Sequence, residues 1–311
     1  MERDAGTVAP DTVDAQGATS PAAAQRPGAA RAGASAAPGE TPVLALHDVR
    51  REFRMGRLLV RALRGVTMDV RPGEFLVVMG PSGCGKSTLL TLIGGLDRPS
   101  SGSIIAGGQD ITRGDETALA AYRRRWIGFI FQSYNLIPTM TARQNVEFPL
   151  VFAGVDRAVR RRRADALLAR VGLADRVTHR PIELSGGQQQ RVAIARALAN
   201  APVIVLGDEP TGNLDTRSGL EIMDLLLELN RAGTTMIVVT HDARLCEYAH
   251  RVVRMEDGVV LGVDDGGRAG EPRVVTGPRA SDADGASAHG RVITDASAPR
   301  RHPPIPAEAN L

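Results

Sequence analysis

Short apolar runs recur through the middle of the chain and are separated by stretches in which apolar residues return every three or four positions. The apolar runs predict strands at Leu44–Phe53, Val66–Val70, Phe75–Met79, Ile127–Phe131, Val203–Leu206 and Met236–Val239. The stretches with the longer period predict helices at Thr88–Gly94, Arg157–Val171, Gln188–Ala199 and Ser218–Arg231. Strands that alternate with helices indicate an α/β fold, with a mainly parallel sheet covered on both faces.

One long helical stretch interrupts this alternation. From about Thr141 to Leu184 the apolar periodicity is that of helices. Within it, the segment Arg157–Val171 places its apolar residues on one side and its arginines on the other. We therefore predict a helical subdomain, at about residues 133–190, inserted into the α/β core.

The two ends of the chain lack apolar periodicity. Residues 1–41 are mostly Ala, Gly, Pro and Thr with scattered charges, and residues 265–311 have the same character and end in a proline-rich run. Such segments bury too little apolar surface to offset the entropy of ordering, so we predict that both are disordered. The remaining residues, 43–264, are enough for one domain with a well-packed core.

Apolar segment length, cysteine spacing and net charge limit where the protein can be located and what it can bind. No segment reaches the roughly 20 apolar residues of a membrane-crossing helix, and the N-terminus lacks the basic start and apolar stretch of a secretory signal. Cys84 and Cys246 form neither a metal-ligand spacing nor a disulfide framework, and a net charge of +3 is too small to indicate nucleic acid by itself. We therefore expect a cytoplasmic protein that reaches a membrane only through a partner and binds no nucleic acid.

A glycine-rich loop follows the predicted strand at Phe75–Met79 and opens a helix. It matches the P-loop pattern with Gly80, Pro81, Ser82, Gly83, Cys84, Gly85, Lys86 and Ser87. In such a loop, successive backbone N–H groups and the positive end of the helix dipole point at phosphate oxygens. Lys86 is the only lysine in the chain. We expect it at the β- and γ-phosphates, with Ser87 on Mg²⁺ and Thr88 beside the phosphates. A chance match is the alternative, and the strand and helix on either side disfavour it.

Two carboxylates, Asp208 and Glu209, follow the apolar run at Val203–Leu206. Asp208 can hold Mg²⁺ through water, and Glu209 is placed to polarise an attacking water. Either carboxylate alone would more often be a solvated turn residue. A P-loop upstream in the same parallel sheet reverses that expectation.

The segment Leu184–Arg191 reads Leu-Ser-Gly-Gly-Gln-Gln-Gln-Arg and begins a predicted helix. Ser185 before a glycine pair can be an ordinary N-cap, and a capped helix start exposed by glycines also binds anions. The segment resembles the signature sequence of ABC ATPases. The resemblance implies that Ser185, Gly186 and Gly187 bind the γ-phosphate held by the P-loop of a second copy. It therefore implies a homodimer with two nucleotides between head-to-tail subunits.

Other residues match the same family in order along the chain. Gln132 resembles the glutamine that joins the core to the helical subdomain and senses Mg²⁺ and the membrane partner. Asp215 resembles a residue of the loop that crosses the dimer interface, and His241 resembles the histidine that contacts the γ-phosphate. Phe53 stands where the family commonly has an adenine-stacking tyrosine, for which any π face suffices, and a core phenylalanine is the alternative. Gly207 departs from the alanine that is usual in the family.

Residues 43–264 are similar to the ATPase subunits of the macrolide-export and lipoprotein-release branch of ABC transporters. The stretches that carry this resemblance are Phe131–Pro138, Ser185–Leu198 and Pro210–Asp215. The resemblance implies a P-loop NTPase (RecA-like) core with an N-terminal antiparallel β subdomain, and ATP and Mg²⁺ as cofactors. It implies ATP hydrolysis with catalytic roles for Lys86, Gln132, Glu209 and His241, and Mg²⁺ ligands at Ser87, Gln132 and Asp208. It also implies a homodimer that powers export or extraction through a separate permease, at the inner face of the cell membrane.

Two alternative functions differ in class from this one. The first is a soluble ABC protein that acts on ribosomes or DNA, and the second is a nucleotide-binding module that does not hydrolyse. Ribosome-acting relatives usually carry two ATPase modules, and DNA-repair relatives carry long coiled coils or zinc modules, which this sequence lacks. Glu209 and His241 disfavour a module without hydrolysis.

Four consecutive arginines, Arg160–Arg163, raise the further possibility of a lipid or nucleic-acid patch. Consecutive positions of a helix point in all directions around its axis. The pattern is therefore more typical of a solvated helix surface.

Overall fold

The computed structural model describes residues 41–56 and 58–266. The two ends predicted to be disordered, 1–41 and 265–311, lie outside the described residues except for positions 41, 265 and 266. Among the described helices, none combines the length and the apolar character that crossing a bilayer requires. The domain bounds 43–264 stay a prediction.

The described chain forms ten strands, six α-helices and two short 3-10 helices. The strands are β1 (Leu44–Met55), β2 (Leu58–Val70), β3 (Phe75–Met79), β4 (Ser101–Ala106), β5 (Gln109–Asp110), β6 (Ile127–Ile130), β7 (Ile204–Asp208), β8 (Thr235–Thr240), β9 (Arg251–Glu256) and β10 (Val259–Asp265). The α-helices are α1 (Lys86–Ile93), α2 (Glu116–Trp126), α3 (Ala142–Phe152), α4 (Arg157–Arg170), α5 (Gly186–Ala197) and α6 (Thr216–Arg231). The 3-10 helices span Pro181–Glu183 and Ala243–Tyr248.

The first sheet is antiparallel and contains the N-terminal strands in the order β2-β1-β4-β5. β1 pairs with β2 so that Leu44 lies opposite Val70, and with β4 so that Ala45 lies opposite Ile105. Register shifts interrupt both pairings near Val49. This sheet confirms the predicted N-terminal antiparallel β subdomain.

The second sheet has the order β10-β9-β3-β8-β7-β6 and is parallel except where β10 pairs with β9. Successive residues of β3 alternate between two buried clusters, with Phe75 and Val77 in one, and Leu76 and Val78 in the other. Helices therefore cover both faces, as the continuous apolar runs predicted. Parallel strands end at the same edge, so the loops after β3, β7 and β8 meet there.

The inserted helices α3, α4 and α5 pack on each other at one side of this sheet. Leu150, Leu168 and Val192 are each fully buried in one cluster with residues of β3 and β7. Asn145 is also fully buried, where it accepts a hydrogen bond from the Ile137 N–H (2.8 Å) and fixes the turn before α3. A helical insertion is therefore present where it was predicted, while its bounds at about 133–190 remain a prediction.

Several elements escaped the sequence analysis. They are β4, β5, α2, β9, β10 and the first half of β2. α2 was missed because three arginines fill its last turn, and only a narrow stripe with Tyr122 and Trp126 is buried. β9 was missed because exposed Arg254 and Glu256 break its apolar run.

Candidate active site

The loop between β3 and α1 depends on glycines for its path. Gly83 and Gly85 have φ of +82° and +103°, which residues with a Cβ rarely adopt. A Cβ at Gly85 would also lie 2.4 Å from the Ala62 carbonyl oxygen of β2. The loop then enters α1, whose first N–H groups have no partners within the helix. These donors and the helix dipole make the loop an anion-binding site.

Lys86 lies under this loop with only 7% of its surface exposed. Its ammonium donates to the carbonyl oxygens of Gly80 (2.7 Å) and Pro81 (3.0 Å). An ammonium has three donors, so one remains for a phosphate oxygen while the loop carbonyls hold the others. Lys86 is therefore placed to bring a positive charge to a bound triphosphate.

The hairpin of β9 and β10 packs against the backbone of the P-loop. Gly258 N–H donates to the carbonyl oxygen of Cys84 at 3.0 Å, and a Cβ at Gly80 would lie 2.2 Å from the carbonyl oxygen of Met255. The Cys84 side chain is buried and packs towards Gly80. Of Cys84, therefore, only the backbone is available to bind phosphate.

The Ser87 hydroxyl donates to the Asp208 carboxylate at 3.2 Å, which joins the start of α1 to the end of β7. Burial raises the pKa of Asp208, and the hydrogen bond from Ser87 offsets part of that rise. Hydroxyl and carboxylate oxygens are ligands that Mg²⁺ prefers. Within the described ranges, no group of three or more His, Cys, Asp or Glu converges. The pair therefore fits a Mg²⁺ that takes its remaining ligands from phosphate and water.

Glu209 is held at both of its carboxylate oxygens. One accepts from His241 Nδ1 (2.9 Å) and the other from the Thr240 hydroxyl (3.1 Å). Because a carboxylate only accepts, Nδ1 of His241 carries the proton in this contact. The backbone of Glu209 has φ of +47°, and its N–H donates to the Val239 carbonyl oxygen at 3.0 Å. The strained backbone and the two side-chain contacts fix the carboxylate at the edge where the strands end.

Ser185 caps α5 in a reciprocal capping box. Its hydroxyl accepts from the Gln188 N–H (3.3 Å), and the Gln188 side chain accepts from the Ser185 N–H (3.0 Å). Gly186 and Gly187 add no side chain of their own to the first turn of α5, which suits an anion. In the described part of the chain, these three residues make no hydrogen bond to the P-loop. Within the described residues of one chain, no hydrogen bond therefore joins the two anion sites.

Gln132 follows β6 and contacts the loop after β7, and Asp215 ends that loop. Among the described residues, neither has a hydrogen bond to Ser87 or Asp208. The Gln132 amide donates to Asn213 at 3.4 Å, and the Asn213 amide donates to the Gln132 carbonyl oxygen at 3.0 Å. Asp215 caps α6, and hydrogen bonds from Ser218 lower its pKa. The predicted roles of Gln132 at Mg²⁺ and of Asp215 at a dimer interface stay predictions.

Phe53 lies at the surface of β1, opposite Val60 of β2, and is 37% exposed. The Arg51 guanidinium sits 4.5 Å from the ring centre, within the range of a cation–π contact. The same β2 strand borders the P-loop at Ala62. The ring is therefore outside the core, and its stacking on adenine stays a prediction.

Three residues near this site were missed by the sequence analysis. Thr240 contacts Glu209, and the Tyr134 hydroxyl would lie 2.9 Å from a Cβ at Gly186. Gln190 is fully buried, and its amide donates to the Pro210 carbonyl oxygen at 2.7 Å, directly after Glu209. A polar residue among the buried apolar positions of α5 is a signal that could have identified Gln190.

The chain resembles known proteins over its central part. The family model described as ABC transporter matches residues 63–212. An uncharacterized ABC transporter ATP-binding protein of Thermotoga maritima is 51% identical over 222 residues, which is 71% of this chain and 95% of that protein. The macrolide export ATP-binding/permease protein MacB of Nitrobacter winogradskyi is 50% identical over 220 residues, or 71% of this chain. The chain spans only 34% of the length of that relative.

Solved structures agree with these relatives. An ATP-binding cassette determined as a dimer in a post-hydrolysis state, bound to ADP and phosphate, is similar with a TM-score of 0.67 and 43% identity. The match covers 71% of this chain and 98% of that one. At 43% identity, the similarity indicates membership of the same family as well as a shared fold.

Proposed function

This chain belongs to the ABC transporter family, and on that premise we propose that its ATP hydrolysis powers a separate membrane permease. It is an ATP-binding subunit and an ATPase of that family. The MacB relative combines ATP binding and permease in one protein, and this chain matches only about a third of it. The Thermotoga maritima relative is named only as an ATP-binding protein and is matched over 95% of its length, which supports a permease on a second chain. The name of the MacB relative supports export as the direction, while extraction rests on the sequence resemblance alone. Binding to a permease would hold this chain at the inner face of the membrane.

The catalytic assignment rests on hydrogen bonds that join α1, β7 and β8 at one edge of the parallel sheet. Ser87 of α1 bonds to Asp208 at the end of β7, and the next residue, Glu209, bonds to Thr240 and His241. We assign Glu209 to polarise water and Lys86 to the charge that develops on the γ-phosphoryl group.

In this reaction a water oxygen forms a bond to the γ-phosphorus, and the bond to the β–γ bridging oxygen breaks. Glu209 orients the water and takes up its proton, so the products are ADP and phosphate. The His241 imidazole lies beside Glu209 and is 66% exposed, so it can reach a γ-phosphate oxygen. When bound, Mg²⁺ would be held by Ser87 and Asp208, with Gln132 proposed as a further ligand, and would neutralise phosphate charge.

We propose that two chains complete each site. The P-loop and the α5 tip with Ser185, Gly186 and Gly187 are two anion sites, and within one described chain no hydrogen bond joins them. A nucleotide bridging the P-loop of one copy and the α5 tip of another would use both. The dimeric state of the solved relative with ADP and phosphate supports this arrangement.

A groove between α2 and the connection of α3 to α4 is the surface that we propose for the permease. Its volume is about 480 Å³, and Arg124, Arg125 and Arg163 line it together with Trp126. No acidic side chain lines this groove. Among the described residues, Arg125 and Arg163 have no hydrogen bond or ion pair. The groove therefore suits a segment that carries carboxylates.

The apolar neighbours of this groove complete the surface. Phe148, Val151 and Phe152 on α3 are exposed, and Arg124 donates to the Phe152 carbonyl oxygen at 3.4 Å. An exposed apolar patch beside unpaired charges is typical of a protein interface. We propose that an acidic, apolar segment of the permease docks here, and that Arg161 and Arg162, which are exposed on α4 outside the groove, remain solvated.

Charge reversal in the groove tests this assignment together with the transport function. The double change Arg124→Glu and Arg163→Glu should weaken binding to the permease partner by tenfold or more, because it replaces attraction with repulsion. The matched control reverses the exposed Arg161 and Arg162, which neighbour Arg163 on α4, and should bind normally. Binding is measured in lipid nanodiscs, with basal and permease-stimulated ATPase rates in parallel. Equal binding by both double variants would exclude the groove, and no stimulation of the wild-type chain would contradict the proposed transport role.

A further inference from the structure

We propose that Thr240 is a positioning residue for ATP hydrolysis, which holds the Glu209 carboxylate in the orientation that polarises water. This inference rests on the catalytic role proposed for Glu209. Thr240 is the last residue of β8 and is 1% exposed. Its hydroxyl lies 3.1 Å from one Glu209 carboxylate oxygen, although 31 positions separate the two residues along the chain.

The Thr240 hydroxyl is the donor to Glu209, because a carboxylate only accepts. A second contact is compatible with this direction. The backbone N–H of Asp242 donates to the Thr240 hydroxyl oxygen at 3.0 Å. A hydroxyl has a single proton, and here its oxygen already accepts from Asp242, so the proton is free to point at Glu209. The turn after β8 and the Glu209 carboxylate are thereby joined through one buried hydroxyl.

Thr240 differs from the other partner of Glu209 in its freedom to move. The His241 side chain is 66% exposed, whereas Thr240 is enclosed at the end of a central strand. β8 pairs with both β3 and β7, and Thr240 lies opposite Met79, just before the P-loop. When His241 turns to a phosphate, as its proposed role requires, Thr240 is the partner that remains. Its hydroxyl would then keep the carboxylate from rotating about the side-chain torsions of Glu209.

A structural role alone would give a different result from a positioning role. A buried hydroxyl that only satisfied Asp242 would affect stability and leave turnover per folded molecule unchanged. Thr235 provides the comparison, because it is a buried threonine of the same strand whose hydroxyl accepts from the Gly73 N–H at 2.9 Å. It lies at the opposite end of β8 from Glu209. Both threonines accept a backbone hydrogen bond, and of the two only Thr240 contacts Glu209.

The test compares steady-state ATPase kinetics and thermal stability of wild type, Thr240→Val, Thr240→Ser and Thr235→Val. We expect Thr240→Val to lower kcat about tenfold to a hundredfold, because it removes a hydrogen bond to a charged group, while KM for ATP changes less than about threefold. Thr240→Ser keeps the hydroxyl and should restore kcat to within a few-fold of wild type. Thr235→Val should lose stability and keep wild-type kcat.

Wild-type kcat in Thr240→Val, or an equal loss in Thr240→Ser, overturns the inference. If Thr240→Val does not fold, Thr240→Ala takes its place against Thr240→Ser, and equal kcat in those two variants overturns the inference in the same way. Glu209→Gln is measured alongside. Turnover retained by Glu209→Gln refutes the role proposed for Glu209, whereas an inactive Glu209→Gln with a fully active Thr240→Val refutes only the positioning role of Thr240.

Discussion

Replacing Glu209 with Gln is expected to lower kcat for ATP hydrolysis by about a hundredfold or more, with ATP binding retained. Glutamine has nearly the same shape, so its oxygen can still accept from the Thr240 hydroxyl, and its NH2 can donate to His241 Nδ1 when the ring proton is on Nε2. It cannot take up a proton from water. The loss should therefore appear in kcat, with little change in the nucleotide affinity that the P-loop provides.

The measurement for Glu209→Gln is phosphate release at saturating ATP, together with the dissociation constant for ATP. Asp208→Asn is the informative comparison, since it removes the neighbouring carboxylate that contacts Ser87. We expect that variant to lose Mg²⁺-dependent nucleotide affinity as well as turnover. Wild-type turnover in Glu209→Gln would remove this residue as the catalytic carboxylate.

Lys86→Ala is expected to weaken ATP binding roughly thirtyfold to several hundredfold, because it removes a buried positive charge from the triphosphate site. Lys86 is the only lysine, and in the described part of the chain no other cationic side chain contacts the P-loop carbonyls. A compact ammonium fits between the carbonyl oxygens of Gly80 and Pro81, whereas a planar guanidinium does not match that geometry. We therefore expect Lys86→Arg to bind ATP weakly as well.

Because Lys86 also holds the loop, its replacement can loosen the loop as well as remove charge. Lys86→Met keeps most of the buried side-chain stem and separates the two effects. Affinity is measured by calorimetry and folding by thermal unfolding of each variant. If Lys86→Met bound ATP as tightly as wild type, the ammonium would have no role at the phosphates.

The sequence predicted those parts of the fold that its own local pattern determines. β3, β7 and β8 are buried on both faces, so each is a continuous apolar run that stands out in the sequence. The P-loop and the start of α5 were predicted because glycines and a capping serine are required by the local backbone itself. The family, the P-loop NTPase fold and the ATPase activity are confirmed by the comparisons.

The features that escaped prediction depend on residues far apart in the chain. β9 and β10 support the P-loop through the contact of Gly258 with Cys84, which local periodicity does not show. Thr240 looks like an ordinary strand threonine until its distance to Glu209 is known. The sequence also left Phe53 open between core and surface, because an aromatic residue in a strand fits either place, and pairing within the first sheet decides its exposure.

The most direct test of the account is sedimentation velocity of two variants with ATP and Mg²⁺. Glu209→Gln is expected to form a dimer, because uncleaved ATP would stay between the P-loop of one copy and the α5 tip of the other. Glu209→Gln combined with Gly187→Asp should remain a monomer, since a carboxylate at the α5 tip repels the γ-phosphate, and a Cβ at Gly187 would make only an ordinary contact with Ser218 at 3.4 Å. A monomer in both cases, or a dimer in both, would contradict the claim that two chains share each nucleotide.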